Sequence, residues 1–415
     1  MSIDPSVQTG TVLIMGAGTM GAGIAQVAAT HGWHVRLADL DRSAAESAIE
    51  GIDRRLARLV EKGRMDEAER AAVRERLVAA DDATSAADGC DLLIEAIIER
   101  LDAKGAALDA VLPRLPSTAI IATNTSSLGV AELGERIGAP ERTVGMHFFN
   151  PAPLLKLVEV IPGTKTDPAV VARTRAIAEH WGKVVAIAAD TPGFIVNQVA
   201  RPYYLEAFRV LADGIAPAGA IDDTMRTIGR FRMGPLELTD LIGQDVNTAT
   251  TREVWSRLGE PALLAPSPVQ EELVKAGTLG RKSGRGVYDH AADSPAPAIS
   301  AGPPPAGPIL ADEHLPAFVK FVAAAAEAVG GTARTDPAAM LTFARILVAL
   351  VLQARFAESR GTGTAADIDT ALRFGVNYPL GPLAWADAIG EDRFEAVRSV
   401  LAELPAPRGG ERFGG

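Results

Sequence analysis

The 415-residue chain has one cysteine, Cys90, so it cannot carry an internal disulfide framework, and no cluster of Cys and His stands at metal-ligand spacing. No uninterrupted apolar stretch reaches about 18 residues, which argues against a membrane span. The N-terminal MSIDPSVQTGTVLIMGAG has no basic region ahead of its apolar run and meets glycines too early for a secretory leader. Basic charge is also short. A net charge of −11 leaves no surplus of Lys and Arg for a nucleic-acid or anionic-membrane surface, so an anionic ligand must be met by a local site. These absences lead to the expectation of a cytoplasmic protein with no nucleic-acid partner, no membrane partner and no metal. Aromatics make up 5% of the chain, and the adjacent Tyr203 and Tyr204 are expected to pack rather than react.

What is present is a strand-helix alternation from Thr11 to about Asp190. The apolar runs are TVLIMG, HVRLAD, DLLIEA, AIIATNT, TVGMHFF and VVAIAA, and Ala44–Ala79 reads as a pair of charged helices. Such alternation predicts a parallel sheet with helices on both faces. From Thr191 the β-branched runs disappear and Ala, Leu, Arg and Glu recur at helical spacing, which predicts an all-α second part. The stretch AADSPAPAISAGPPPAGP (Ala291–Pro308), in a linker at 291–309, is too rich in Pro, Ala and Gly for a regular element and is expected to run extended. It separates two related pieces. Sliding the chain by 147 residues sets Ala220–Gly243 over Asp367–Gly390 with nine of 24 positions identical, Asp222/Asp369, Gly234/Gly381 and Gly243/Gly390 among them. The expected organisation is therefore 1–190, a first helical copy at 191–290, the linker, and a second copy at 310–405.

The turn after the first strand reads GAGTMG, with Gly16, Gly18 and Gly21 in register for dinucleotide binding and Thr19 and Met20 between the last two. Gly16 permits the tight turn, Gly18 lets backbone approach a pyrophosphate, and Gly21 lets the helix pack closely, while free N–H groups at the helix start meet the anion. Gly23 adds another small residue on that helix. Asp39 ends the next strand eighteen residues beyond Gly21, where a carboxylate can accept from a ribose diol. An acid there would repel a 2′-phosphate and so favours NAD, although Arg42 stands close by in sequence.

His147 falls near the end of the run TVGMHFF, and Glu159 follows twelve residues later inside the apolar run LLKLVEVIPG. A buried carboxylate needs a partner, and strand ends carrying His and Glu make a base with an orienting acid. Both residues also read as structural. A neutral imidazole, ordinary pKa about 6.5, is suited to take the hydroxyl proton while a hydride leaves the same carbon. Ser126 in TNTSSL and Asn197 in TPGFIVNQ are polar candidates for holding the substrate oxygen. His31, His34 and His180 lack acidic companions and read as packing or surface residues. Arg54, Arg55, Arg58 and Lys62 form either a solvated helix face or a phosphate-binding one.

Taken together, GAGTMGAGIA, EAIIE, TNTSSL, HFFNPAPLLKLVEVI, TPGFIVNQ, MGPLELTDLIG and GRKSGRGVY, spread over residues 11–288, resemble the L-3-hydroxyacyl-CoA dehydrogenase family. The resemblance implies a Rossmann-like NAD-binding domain followed by two all-α C-terminal domains. It implies His147 as general acid/base with Glu159 as partner, and Ser126 and Asn197 near the reacting oxygen. NAD contacts would fall on Gly16, Gly18, Gly21, Asp39, Glu99, Lys104, Ser126, Asn150 and Lys282, and CoA contacts on Arg55 and Lys62. TPGFIVNQVARPYYLEAFR and GVNYPLGPLAWADAIG look like the branch acting on 3-hydroxyadipyl-CoA in phenylacetate breakdown, which also carries two helical domains. A terminal carboxylate would want a basic partner, for which Arg201 and Arg232 are candidates. The alternatives are a 3-hydroxybutyryl-CoA enzyme and a non-catalytic, crystallin-like member. The second copy has no TPGFIVN counterpart and is expected to be structural. Two copies in one chain could form internally the contact that single-copy relatives make as dimers, leaving a monomer or a homodimer.

Overall fold

In the computed structural model, residues 9–291 and 295–405 are described. Three residues of the proline-rich stretch (292–294) and part of the N-terminal run (1–8) lie outside them. Residues 1–194 and 195–415 form two compact units.

The first unit is built on eight strands: β1 (Thr11–Met15), β2 (His34–Ala38), β3 (Leu77–Ala79), β4 (Leu92–Glu95), β5 (Ile120–Thr123), β6 (Thr143–Phe148), β7 (Leu157–Pro162) and β8 (Val184–Ile187). Their order in the sheet is β3-β2-β1-β4-β5-β6-β7-β8. Alternate side chains enter different cores: Val12 and Ile14 join one apolar cluster, Leu13 and Met15 another. A sheet buried on both faces needs such near-continuous apolar strands. The helices are α1 (Thr19–Thr30), α2 (Arg42–Glu61), α3 (Glu67–Glu75), α4 (Ala83–Ala86), α5 (Leu101–Val111), α6 (Val130–Arg136) and α7 (Pro168–His180). Asp41 caps α2 by accepting from the Ser43 N–H, and Asp66 and Glu69 close a reciprocal capping box on α3.

Two expectations change here. Leu77–Ala79 is an edge strand rather than the end of a helical pair, because α3 stops at Glu75 and the next residues pair with β2. The sheet is parallel except between β6 and β7, which run antiparallel. Residues 149–156 that join them are too few for a crossover, which takes about a dozen.

The second unit holds α8 (Val196–Val199), α9 (Arg201–Ala212), α10 (Ala218–Gly229), α11 (Pro235–Ile242), α12 (Gln244–Arg257), α13 (Pro268–Lys275), α14 (Leu315–Glu327), α15 (Pro337–Ser359), α16 (Ala365–Gly375), α17 (Pro382–Ile389) and α18 (Glu391–Glu403). The repeat is visible atom by atom. Asp222 accepts the N–H groups of Leu236 and Glu237 at 2.8 and 2.9 Å, and Asp369 accepts those of Leu383 and Ala384 at 2.9 and 2.8 Å. The matched residues Arg230 and Asn377 both take left-handed backbone, each with φ of 56°.

Helix α15 is long and apolar enough to cross a membrane, yet 83% of its most apolar window is buried inside the fold, where it packs on α9, α10, α14 and α17. It carries Arg345, whose Nε lies 2.6 Å from Glu206 and Nη1 2.7 Å from Asp213, tying the second copy to the first. The described residues of the proline-rich stretch, from 295 on, are more ordered than their composition predicts. Ala296–Pro297 pairs antiparallel with Tyr288–Asp289, and the Gly302 N–H reaches the Leu211 carbonyl at 2.9 Å. Extended backbone needs no special sequence to add at an edge, and a proline is tolerated there.

Candidate active site

The C-terminal ends of β1, β2, β4, β5 and β6 lie side by side in the first unit. After β1, Gly16 has φ of 106°, and a Cβ there would lie 2.5 Å from the Ala96 carbonyl oxygen. A Cβ on Gly21 would fall 1.8 Å from the Gly16 carbonyl oxygen, so helix and turn meet with no room for a methyl group. Gly18 differs: a Cβ there would meet nothing within 4 Å. Helix α1 starts at that point with no side-chain cap and no acid in its first turn. Its first N–H groups are left for an anion. Asp39, after β2, accepts the Ala17 N–H at 2.6 Å and the Leu40 N–H at 2.8 Å, which holds the carboxylate beside the turn. The open approach at Gly18, the uncapped helix and the placed acid fit a dinucleotide.

After β4, Glu99 gathers the loop that follows β5. It accepts from the Thr125 hydroxyl at 2.6 Å and from the N–H groups of Ser126 and Ser127 at 2.8 and 3.1 Å. Burial would raise its pKa, but the Lys104 ammonium 3.1 Å away and the Thr125 hydroxyl leave it below the usual carboxylate value. Lys104 is 1% exposed, with Nζ also 2.7 Å from Glu95, so it supports this loop from within rather than presenting its charge outward. Ser126 is exposed beside Glu99.

His147 and Glu159 are directly opposed in the β6/β7 register. His147 Nδ1 lies 2.7 Å from Glu159 Oε2, with the residues 6% and 0% exposed. A carboxylate can only accept, so Nδ1 carries the proton and Nε2 is left as the acceptor. The rings of Phe149 and Phe194 stand 4.5 and 5.6 Å from the imidazole and shield it from water. The Asn124 side chain accepts the Phe148 N–H at 2.9 Å, pinning the strand end one residue beyond His147.

The same unit holds a cavity of about 750 Å³ walled by α1, α2, residues 150–156 and residues 181–183. Gln26, Arg55, Asn150, Leu154 and Lys183 line it, as does His31. Arg55 Nε donates to Gln26 at 2.8 Å. Lys62, at the end of α2, is exposed and does not line the cavity. Asn197, on α8, and Lys282, ion-paired with Asp245 at 2.5 Å, belong to the second unit. Lys183, Phe149 and Phe194 went unread in the sequence. The available signal for Lys183 was a lone lysine at the mouth of the apolar run VVAIA.

Comparison with known proteins decides the family. Residues 11–191 match the model for the 3-hydroxyacyl-CoA dehydrogenase NAD binding domain, and residues 193–290 and 342–412 match that for its C-terminal domain. The chain belongs to the 3-hydroxyacyl-CoA dehydrogenase family. It is similar to the 3-hydroxyadipyl-CoA dehydrogenase of Escherichia coli K12, 38% identical over 97% of this chain and 95% of that protein. A probable 3-hydroxybutyryl-CoA dehydrogenase of Bacillus subtilis is 39% identical over 67% of this chain and 96% of its own length. Among solved structures, a 3-hydroxybutyryl-CoA dehydrogenase from E. coli K12 superposes with a TM-score of 0.82 at 36% identity, covering 95% of this chain and 94% of that one. As a family member the chain is an NAD-dependent oxidoreductase with a Rossmann-like domain and helical C-terminal domains.

Proposed function

We propose that the chain oxidises L-3-hydroxyacyl-CoA esters, 3-hydroxyadipyl-CoA or a similar dicarboxylic ester in particular, with His147 as general acid/base oriented by Glu159. The observation that carries this is the buried 2.7 Å hydrogen bond from His147 Nδ1–H to Glu159. It leaves Nε2 able to accept a proton from a substrate hydroxyl. NAD held at the glycine turn supplies the hydride acceptor. Glu159 stabilises the imidazolium that forms, and Phe149 and Phe194 keep competing water away. In the reverse direction the imidazolium returns its proton to the alkoxide. Ser126 and Asn197 hold the reacting oxygen, and the cavity beside Arg55 receives the CoA portion. The dicarboxylic reading is supported by a relative of that name matching across both helical copies. A short-chain reading draws on the similarly extensive likeness to a structure named for 3-hydroxybutyryl-CoA.

Replacing His147 with Gln keeps ring-sized volume and removes the base. NAD binding, followed by protein fluorescence quenching, should survive, while acyl-CoA-dependent NADH formation should drop about 10²- to 10⁴-fold. Turnover at the wild-type rate would rule out the mechanism.

A further inference from the structure

Arg201 opens α9 and is 5% exposed. Among the described residues its guanidinium has no carboxylate partner. Its Nη1 makes two long contacts, each 3.4 Å, to the Asn247 carbonyl and the Thr251 hydroxyl, and its Nε has no partner at all. Other buried arginines of this unit are treated differently: Arg209 and Arg345 both share Glu206. A guanidinium does not shed its proton, so an unpaired one in the interior is costly until an anion meets it.

Two tyrosines act on the Arg201 guanidinium. The Arg201 guanidinium lies 5.0 Å above the Tyr204 ring. The Tyr378 hydroxyl, which acts electrostatically on Arg201, is buried without a partner, and so are Asn247 Nδ2 and Thr248 Oγ1. Buried polar atoms are rarely left unmet, and here the Arg201 Nε and the Tyr378 hydroxyl both stand without an acceptor. Tyr378 is the second-copy counterpart of Phe231, and the two rings meet at 5.0 Å. The hydroxyl is thus a departure from the repeat. Helix α8, immediately before Arg201, is packed by α12 of the first copy and by α15 and α16 of the second.

We propose that Arg201, assisted by the Tyr378 hydroxyl, binds the terminal carboxylate of a dicarboxylic acyl chain, which makes the second helical copy part of substrate recognition. This rests on the reading of the chain as a 3-hydroxyacyl-CoA dehydrogenase acting on such esters. Spacing supports it. Asn197, assigned above to the reacting oxygen, stands four residues before Arg201, on the short helix α8 that Ala200 separates from α9. In 3-hydroxyadipyl-CoA the hydroxyl-bearing carbon and the carboxylate carbon are three bonds apart, so the two groups that the substrate presents are also near neighbours. Arg232, the other arginine raised by the sequence, is exposed.

The test is kcat/KM of the full chain for 3-hydroxyadipyl-CoA relative to 3-hydroxybutyryl-CoA. In Arg201→Met that ratio should fall about 10²- to 10³-fold, the usual consequence of truncating one partner of a buried charge pair. Tyr378→Phe removes one oxygen and keeps the ring packing; it should lower the ratio about tenfold. An unchanged ratio in either folded variant, or equal losses on both substrates, overturns the assignment. Wild-type protein that oxidises neither ester refutes the dehydrogenase reading instead, and wild-type preference for 3-hydroxybutyryl-CoA refutes the dicarboxylic one.

Discussion

Lys183 begins the run into β8, and its Nζ donates to the carbonyls of Ala152 and Leu155, the latter at 2.9 Å. It therefore clamps the loop that carries Asn150. Burial pushes its pKa down from 10.5 to about 8. Between those values the unfolded chain holds a proton that the folded chain has released, so the stability attributable to this group rises with pH across that window. The burial penalty is whole below about pH 8. Lys183→Met should remove this rise: the gap in urea midpoint between wild type and variant should change from pH 7 to pH 9.5 in favour of the wild type. Parallel pH curves would show that the ammonium does not titrate there. This residue was illegible in the sequence because its role depends on two backbone carbonyls some 30 positions away. Arg201 was legible as a candidate but could not be ranked over Arg232, since a missing acid partner is a fact of three-dimensional surroundings.

At the scale of elements, the turn between β1 and α1 separates two uses of glycine. Gly21→Ala forces a methyl group into the Gly16 carbonyl, which should prevent the helix from docking and give little folded protein. Gly18→Ala meets open space, so the fold should stand while NAD affinity, measured by titration calorimetry, falls at least tenfold. Equal NAD affinity in wild type and Gly18→Ala would mean that the cofactor backbone passes elsewhere. This turn could be read from sequence because its logic is local: strand, glycines, helix and a following acid. The His147–Glu159 pair was half legible. Twelve positions of separation suggested neighbouring strand ends, but the direct cross-strand register follows from an antiparallel hairpin, and the alternation elsewhere implied parallel pairing. Strand β3 escaped because three residues, LVA, carry too little periodicity to register.

At the scale of the whole molecule, duplication left its mark in both sequence and geometry, from nine shared identities to two matching aspartate clasps. The copies have since diverged. Asp240 accepts from the Val287 and Tyr288 N–H groups, whereas its counterpart Asp387 is exposed. The first copy keeps the GRKSGRGVY segment that Asp240 binds, and the second copy is a run of helices centred on α15.

The buried Arg345 contacts and the apolar surface of α15 have one more consequence. They join the copies through side chains, and among the described residues the proline-rich stretch between them adds to the first copy a short edge pairing and two backbone hydrogen bonds, from the Ala298 N–H to the Val287 carbonyl and from the Gly302 N–H to the Leu211 carbonyl. The side-chain contacts are therefore expected to hold the two copies together when the peptide link is cut. Residues 1–304 and 305–415, co-expressed as separate polypeptides, should assemble one-to-one and restore NADH formation, whereas the larger fragment alone, with the α9 and α10 faces uncovered, should self-associate. Size-exclusion chromatography with light scattering distinguishes these outcomes, and a monodisperse, monomeric large fragment would show that the second copy is not needed to cover the first.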